Sequence, residues 1–223
     1  MKKRIAIQGA LIFFVTVVSI LLSKVLLSSY RKGPVDEFLD AVGIVLTLFG
    51  FLLRISARGY KEEKSHQGKI MVKDGPYSLL RNPMYFGTLM IATGIIFVLF
   101  ELWTFPLFLI IFLSIYIPQI RKEEEMLSNR FGQDYRNYCK TTPKYFPKLH
   151  HLSNPRAYLS IKLHWIKNEL SSLAAVITAI MAIKIWQDFK LYGYREIFKE
   201  LLELFAIILF FILLVILLHN KKD

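Results

Sequence analysis

The chain has 223 residues, 54% of them hydrophobic, with a formal net charge of +12 and a mean hydropathy of +0.42. Water-soluble domains of this length are less apolar, so the composition excludes an ordinary globular protein and makes lipid the natural solvent. The basic residues lie between apolar runs, where they meet anionic lipid and set orientation rather than bind nucleic acid, and a single cysteine, Cys139, excludes an intrachain disulfide.

In chain order, the first apolar run is Ile5 to Leu27, preceded by Lys2, Lys3 and Arg4. It is longer than a secretory signal core and no small-residue cleavage site follows it, so it reads as an uncleaved span. A second run, Phe38 to Ile55, is softened by Gly43 and Gly50. The polar stretch Arg58 to Asn82 comes next, with a turn at Lys73-Asp74-Gly75-Pro76. Met84 to Phe100 and Leu102 to Ile117 are separated only by Glu101, which predicts a tight antiparallel hairpin with Glu101 and Trp103 at the far interface. Pro106 and Pro118 are candidate kinks in its second helix. After a polar segment, Arg121 to Lys167, two further spans are expected at about Leu170 to Trp186 and Leu201 to Leu218.

The expected fold is therefore an all-α membrane protein with about six transmembrane helices. Residues 1–150 make a four-span core, and residues 151–223 an extension with two more spans. Lysine and arginine crowd the segments after spans two and four, while the opposite loops hold few. The positive-inside rule then places both termini and both long polar segments in the cytosol, a bacterial inner membrane being preferred to the endoplasmic reticulum.

All candidate chemistry lies in those two segments. Gly75-Pro76-Tyr77 makes a turn, and Arg81-Asn82-Pro83-Met84-Tyr85-Phe86-Gly87 starts a helix, with proline at an early position where its missing N–H costs nothing. Free amides at such a helix start can receive a carboxylate or ribose hydroxyls. From spacing alone the preferred reading is a capped membrane helix, with Arg81 snorkelling and Tyr85 in an aromatic belt. The second constellation is Arg121-Lys122-Glu123-Glu124-Glu125, followed by Phe131-Gly132, Tyr135 and Tyr138. If helix continues past Pro118, Glu123 falls one turn beyond Gln119 on the same face. The bland alternative is a solvated helix end with Arg121 and Glu124 as i,i+3 partners. His150, His151 and His164 lack any metal-ligand spacing, so no metal is expected. Cys139 reads as a bystander in a polar loop, and Lys184 as a snorkelling cation.

Taken together, Lys69-Ile70-Met71-Val72, Gly75-Pro76-Tyr77, Arg81-Asn82-Pro83-x-Tyr85-x-Gly87 and Glu123-Glu124-x-x-Leu127-x-x-x-Phe131-Gly132-x-x-Tyr135-x-x-Tyr138 closely resemble the isoprenylcysteine carboxyl methyltransferases. They are also similar to the wider group of integral membrane methyltransferases that includes the phospholipid N-methyltransferases. The resemblance covers about residues 58 to 148 and implies S-adenosyl-L-methionine as methyl donor, bound at the cytosolic surface beneath a lipid-accessible acceptor tunnel. It implies donor contacts from Lys69, Ile70, Met71, Val72, Tyr77, Asn82, Pro83, Met84, Tyr85, Glu123 and Glu124, with Asn82, Tyr85 and Glu123 nearest the reaction. Arg81, Gln119 and Arg121 are the candidates for acceptor contacts.

This sequence departs from the carboxyl methyltransferases in having Asn82 where they have histidine, and Gln119 where their carboxylate-gripping arginine falls. The expected acceptor is accordingly a lipid-soluble molecule other than a prenylcysteine carboxylate, and membrane lipids are the other expected partners. Two further readings stand beside this one: a nicotinamide-dependent membrane reductase of the sterol-reductase kind, and a non-catalytic membrane protein. Sequence leaves the oligomeric state open.

Overall fold

The structure is a computed structural model that describes residues 14–27, 34–147 and 161–192, with Leu202, Phe205, Ala206 and Leu209 as isolated positions. The start of the first expected span, most of Leu201 to Leu218, and His150-His151 lie outside the described residues. Helix follows 14–21, turns at Leu22 and resumes as α1 (Ser23–Leu26). Beyond it come α2 (Pro34–Lys64), the short α3 (Pro76–Leu79), α4 (Pro83–Leu99), α5 (Thr104–Phe131), α6 (Gln133–Thr141), a 3-10 helix (Leu163–Asn168) and α7 (Leu170–Tyr192). No strand is present among the described residues.

Among the described residues, three helices are long and apolar enough to cross a membrane: Glu37–Lys64, Thr104–Phe131 and Leu170–Gln187. Pro83–Leu99 is a shorter apolar helix, and its 17 residues reach about 25 Å, at the lower limit for a span. Apolar side chains such as Ile44, Val45, Leu48, Leu107, Ile110 and Ile115 are exposed on α2 and α5, a pattern that lipid solvates without cost.

α2 and α5 outrun the apolar stretches predicted for them. The polar segment expected from Arg58 begins as helix, because Lys61, Glu62, Glu63 and Lys64 are good helix formers and no proline interrupts them. At 31 residues α2 spans about 46 Å, more than the hydrocarbon core requires. It ends where His66, Gln67 and Gly68 adopt positive φ of 44°, 60° and 85°, and the Ile70 N–H closes the turn on the Ser65 carbonyl at 3.0 Å. α5 runs without a break through Pro118 to Phe131 and stops at Gly132, whose φ of 52° suits a residue with no Cβ. Pro106 falls in its first turn, where proline costs little.

The chain divides into two compact units. One contains residues up to Arg31, Leu99–Glu101 and the chain from Glu169. Within it, the Glu101 N–H donates to the Leu26 carbonyl at 3.0 Å. Trp186 Nε1 and Lys190 Nζ both donate to Ser23 Oγ, at 3.2 and 2.7 Å.

The other unit, Lys32–Val98 with Leu102–Asn168, holds both motif segments. Its frame is an antiparallel contact of α2 with α4 at two glycine pairs. A Cβ on Gly50 would come within 2.6 Å of the Gly87 carbonyl oxygen, and one on Gly87 within 2.8 Å of the Gly50 oxygen. Gly43 and Gly94 repeat the arrangement one heptad away, at 2.7 and 2.3 Å. Between membrane helices, where burial from water drives nothing, such close backbone approach is the principal source of packing energy.

Arg54, 7% exposed, lies beside the inner glycine pair; its Nη1 donates to Thr88 Oγ1 at 2.6 Å. Thr88 donates in turn to the Met84 carbonyl at 2.9 Å, so α2 grips the first turns of α4. Gly50→Ala should therefore lower stability by about 1–3 kcal/mol through overpacking, although alanine is the better helix former. Thermal unfolding in detergent measures this, and an unchanged midpoint would contradict the close contact.

Candidate functional site

Short elements bring the motif residues together. Gly75, with φ of 57°, turns the chain into α3; the Ser78 hydroxyl locks the turn by donating to the Gly75 carbonyl at 2.7 Å. Tyr77 projects from α3, and its own carbonyl accepts the Tyr138 hydroxyl of α6 at 2.5 Å. Proline at 83 opens α4, which puts Tyr85 in the first turn. Gln119 and Glu123, four residues apart on α5, share one face.

These residues meet around the Glu123 carboxylate. Tyr85 Oη donates to Glu123 Oε1 at 2.8 Å, and Gln119 Nε2 donates to the same oxygen at 3.1 Å. Tyr116 sets its ring edge-on to Tyr85, the centroids 5.3 Å apart. Burial first, and then the Glu123 carboxylate and Tyr85, push the Tyr77 phenol above its usual range. The result is a carboxylate that accepts from a phenol and an amide beside aromatic rings, groups suited to a cation with hydroxyl groups.

The next residue on α5 faces elsewhere, because successive helical positions are about 100° apart. Glu124 pairs with Arg81 Nη1 at 3.2 Å and with Lys144 Nζ at 2.6 Å. Arg81 Nη1 also donates to Cys139 Sγ at 2.7 Å. Two bonds to strap carbonyls complete the knot: the Arg81 N–H donates to the Pro143 carbonyl at 2.9 Å, and Asn82 Nδ2 donates to the Lys144 carbonyl at 3.3 Å. Phe146 covers Phe86 at 5.9 Å. The segment after α6, residues 142–147, is thus strapped across the start of α4.

Of the residues the motifs single out, Tyr77, Tyr85, Gln119 and Glu123 form one cluster. Arg81, Asn82 and Glu124 form the other, bound to one another or to the strap. Pro83 is buried and Met84 half-buried beneath them. Lys69 and Ile70 are exposed, Met71 and Val72 half-buried, in irregular chain leading to Gly75. Arg121 is exposed, and Glu125 likewise. Two local expectations need correction. Cys139 lies on α6 against Arg81, not in a loop, because α6 packs the Arg81 side of the knot. Glu124 is bonded across the fold to Arg81 and Lys144 rather than to Arg121, since α5 turns Arg121 toward solvent. Spacing gave no signal for Arg54, Tyr116 or Lys144, although the Tyr138 of the second motif was visible.

Burial works against the Lys144 ammonium, but the hydrogen bond and charge of Glu124 outweigh it and raise its pKa. A lysine raised in the folded state contributes stability below its unfolded pKa, and loses it as pH climbs through the folded value. The Glu124–Lys144 contribution is then complete at neutral pH and fades above the ordinary 10.5. Glu124→Gln should cost roughly 1.5–3 kcal/mol, the worth of hydrogen bonds to charged groups, whereas Glu125→Gln should stay within about 0.5 kcal/mol. Unfolding midpoints of the two variants at pH 7 compare them directly.

Residues 39–134 match the family model described as phospholipid methyltransferase. The match takes in α2 from Leu39, the first motif, α5 and the second motif as far as Gly132, and stops early in α6, leaving Tyr135, Tyr138, the strap, the 3-10 helix and α7 beyond it. No curated protein and no solved structure matches significantly. The matched segment, which carries Tyr77, Tyr85, Gln119 and Glu123, is thus similar to the phospholipid methyltransferase family, in keeping with the membrane methyltransferases that the motifs resemble.

Proposed function

We propose that the protein is an S-adenosylmethionine-dependent methyltransferase acting on a lipidic or amphiphilic acceptor. The observation that carries this reading is the Tyr77, Tyr85, Tyr116, Gln119 and Glu123 cluster. S-adenosylmethionine brings an ammonium, a sulfonium and ribose hydroxyls, and the cluster offers a carboxylate, aromatic faces and neutral hydrogen-bonding groups. The donor set fits. When bound, the cofactor supplies an electrophilic methyl group on positively charged sulfur.

In this reading Glu123 holds a positively charged or hydroxyl group of the donor, and Tyr85 keeps the carboxylate aimed. The irregular backbone of Lys69 to Val72 and the start of α4 from Asn82 to Tyr85 line the rest of the donor side. Arg81, Asn82 and Glu124 act by fixing the strap, so that the start of α4 is rigid. Because methyl transfer is an in-line displacement, the protein's task is to position two reactants and exclude water. We further propose six spans with both termini and the site cytosolic; lipid-impermeant thiol labelling of Lys64→Cys and Trp103→Cys, in a Cys139→Ala background, should mark only Lys64→Cys from the cytosolic side.

Calorimetry of the detergent-solubilised protein tests the donor. S-adenosylmethionine should bind and NADPH should not, and Glu123→Gln should weaken binding at least tenfold, about 1.4 kcal/mol, with Glu125→Gln unchanged. Binding of NADPH alone would favour a reductase instead. Gln119 cannot reproduce the bidentate charged grip of arginine on a carboxylate. A radiolabelled methyl donor should therefore mark total membrane lipids in preference to N-acetyl-farnesylcysteine, by one to two orders of magnitude for a contact worth roughly 1.5–3 kcal/mol.

A further inference from the structure

Beyond the family match, the 3-10 helix Leu163–Asn168 is seated on α2 by one residue. Trp165 is 3% exposed, and its ring lies so close to Gly59 that a Cβ there would be 2.0 Å from Trp165 Cδ2. Its Nε1 donates to Glu63 Oε2 at 3.2 Å. Lys162 holds the same carboxylate with Nζ bonds of 2.7 and 2.9 Å and places its charge 5.3 Å from the indole centroid. Glycine at 59 and tryptophan at 165 are therefore a matched pair: any side chain at 59 would displace the indole.

The contact continues toward the candidate site. Trp165 meets the Tyr60 ring edge-on, the centroids 5.4 Å apart. The far end of the Tyr60 ring lies under Gly75, where a Cβ would come within 2.6 Å of Tyr60 Cζ. Gly75 is the residue whose positive φ launches α3 and delivers Tyr77 to the Glu123 cluster. Indole, phenol ring and turn pack in series, with no flexible side chain between them. A displacement of Trp165 must then be absorbed by Tyr60, and a displacement of Tyr60 by the turn.

We infer that Trp165 is a positioning residue for the donor site, acting through Tyr60 on the Gly75-Pro76-Tyr77 turn, so that the segment leading into α7 and occupancy of the site are coupled. The inference rests on the proposed donor site. It implies reciprocity: whatever moves the 3-10 helix changes donor affinity, and donor binding changes the surroundings of the indole by the same coupling.

The chain has three tryptophans, so Trp103→Phe with Trp186→Phe leaves Trp165 as the sole indole emitter. In that background, emission should change saturably with S-adenosylmethionine, with the same midpoint that calorimetry gives. Trp165→Ala should weaken donor binding and raise the donor KM at least tenfold, with kcat at saturating donor within about twofold of wild type. Trp165→Phe, which keeps a ring on Gly59 and Tyr60, should restore most of the affinity. If Trp165→Ala does not fold, Tyr60→Leu supplies the same test by removing the middle ring. A lowered unfolding midpoint with unchanged donor affinity would reduce Trp165 to a structural role and overturn the inference. Emission indifferent to a donor that calorimetry shows bound would overturn it as well. Failure of the unmodified protein to bind S-adenosylmethionine would instead defeat the proposed donor site, and this inference with it.

Discussion

Where α2 and α4 touch, backbone meets backbone. Gly43 against Gly94 and Gly50 against Gly87 bring the two helices closer than any pair of side chains would permit, and the first motif, which opens α4, takes its position from that contact. It fixes the separation of the helices and their relative register, since a slip along the axis would push a side chain into a space that holds only hydrogen. With the register fixed, Arg54 reaches Thr88 and through it the Met84 carbonyl. The first turn of α4, which carries Tyr85, is held from the neighbouring helix rather than left to fray. Dispersion and a few buried hydrogen bonds do here what water-driven burial does in a soluble protein.

On α5, two adjacent carboxylates face different parts of the fold. Glu123 accepts from Tyr85 and Gln119, and Glu124 is met by Arg81 and Lys144. The helical twist alone separates them, one toward the Tyr85–Gln119 cluster and one toward a knot that binds the strap. The division gives a physical reason for a Glu-Glu pair at this point in the motif.

Much of the unit containing both motifs was legible in the sequence, because its signals are local. Apolar runs located α2, α4 and α5, Asn82-Pro83 marked the start of α4, and i,i+4 spacing placed Gln119 beside Glu123. Helix ends were misjudged where hydropathy was used as a boundary: the ladder of hydrogen bonds ignores the polarity change at Arg58 and at Arg121, and stops only at the positive φ of residues 66–68 and 132. Contacts made across long stretches of chain were invisible. Gly43 and Gly50 read as weak points of a span, when they are its tightest contact. Nothing near Trp165 announces that its partner is a glycine more than a hundred residues earlier. Arg54 reads as one more juxtamembrane cation until Thr88 is seen beneath it.

A helix in lipid has little reason to prefer one rotation about its axis, because Leu107, Ile110, Ile111, Leu113 and Ile115 present interchangeable apolar surface to the bilayer. The polar end of α5 supplies what the apolar length lacks. Glu123 is held on one side and Glu124 on the other, so turning the helix either way stretches one set of bonds. The two carboxylates work as a key in a slot, blocking rotation while leaving the shaft some freedom to tilt. An apolar helix is thereby aimed by its last few turns outside the apolar stretch, and the direction in which the site faces is decided there.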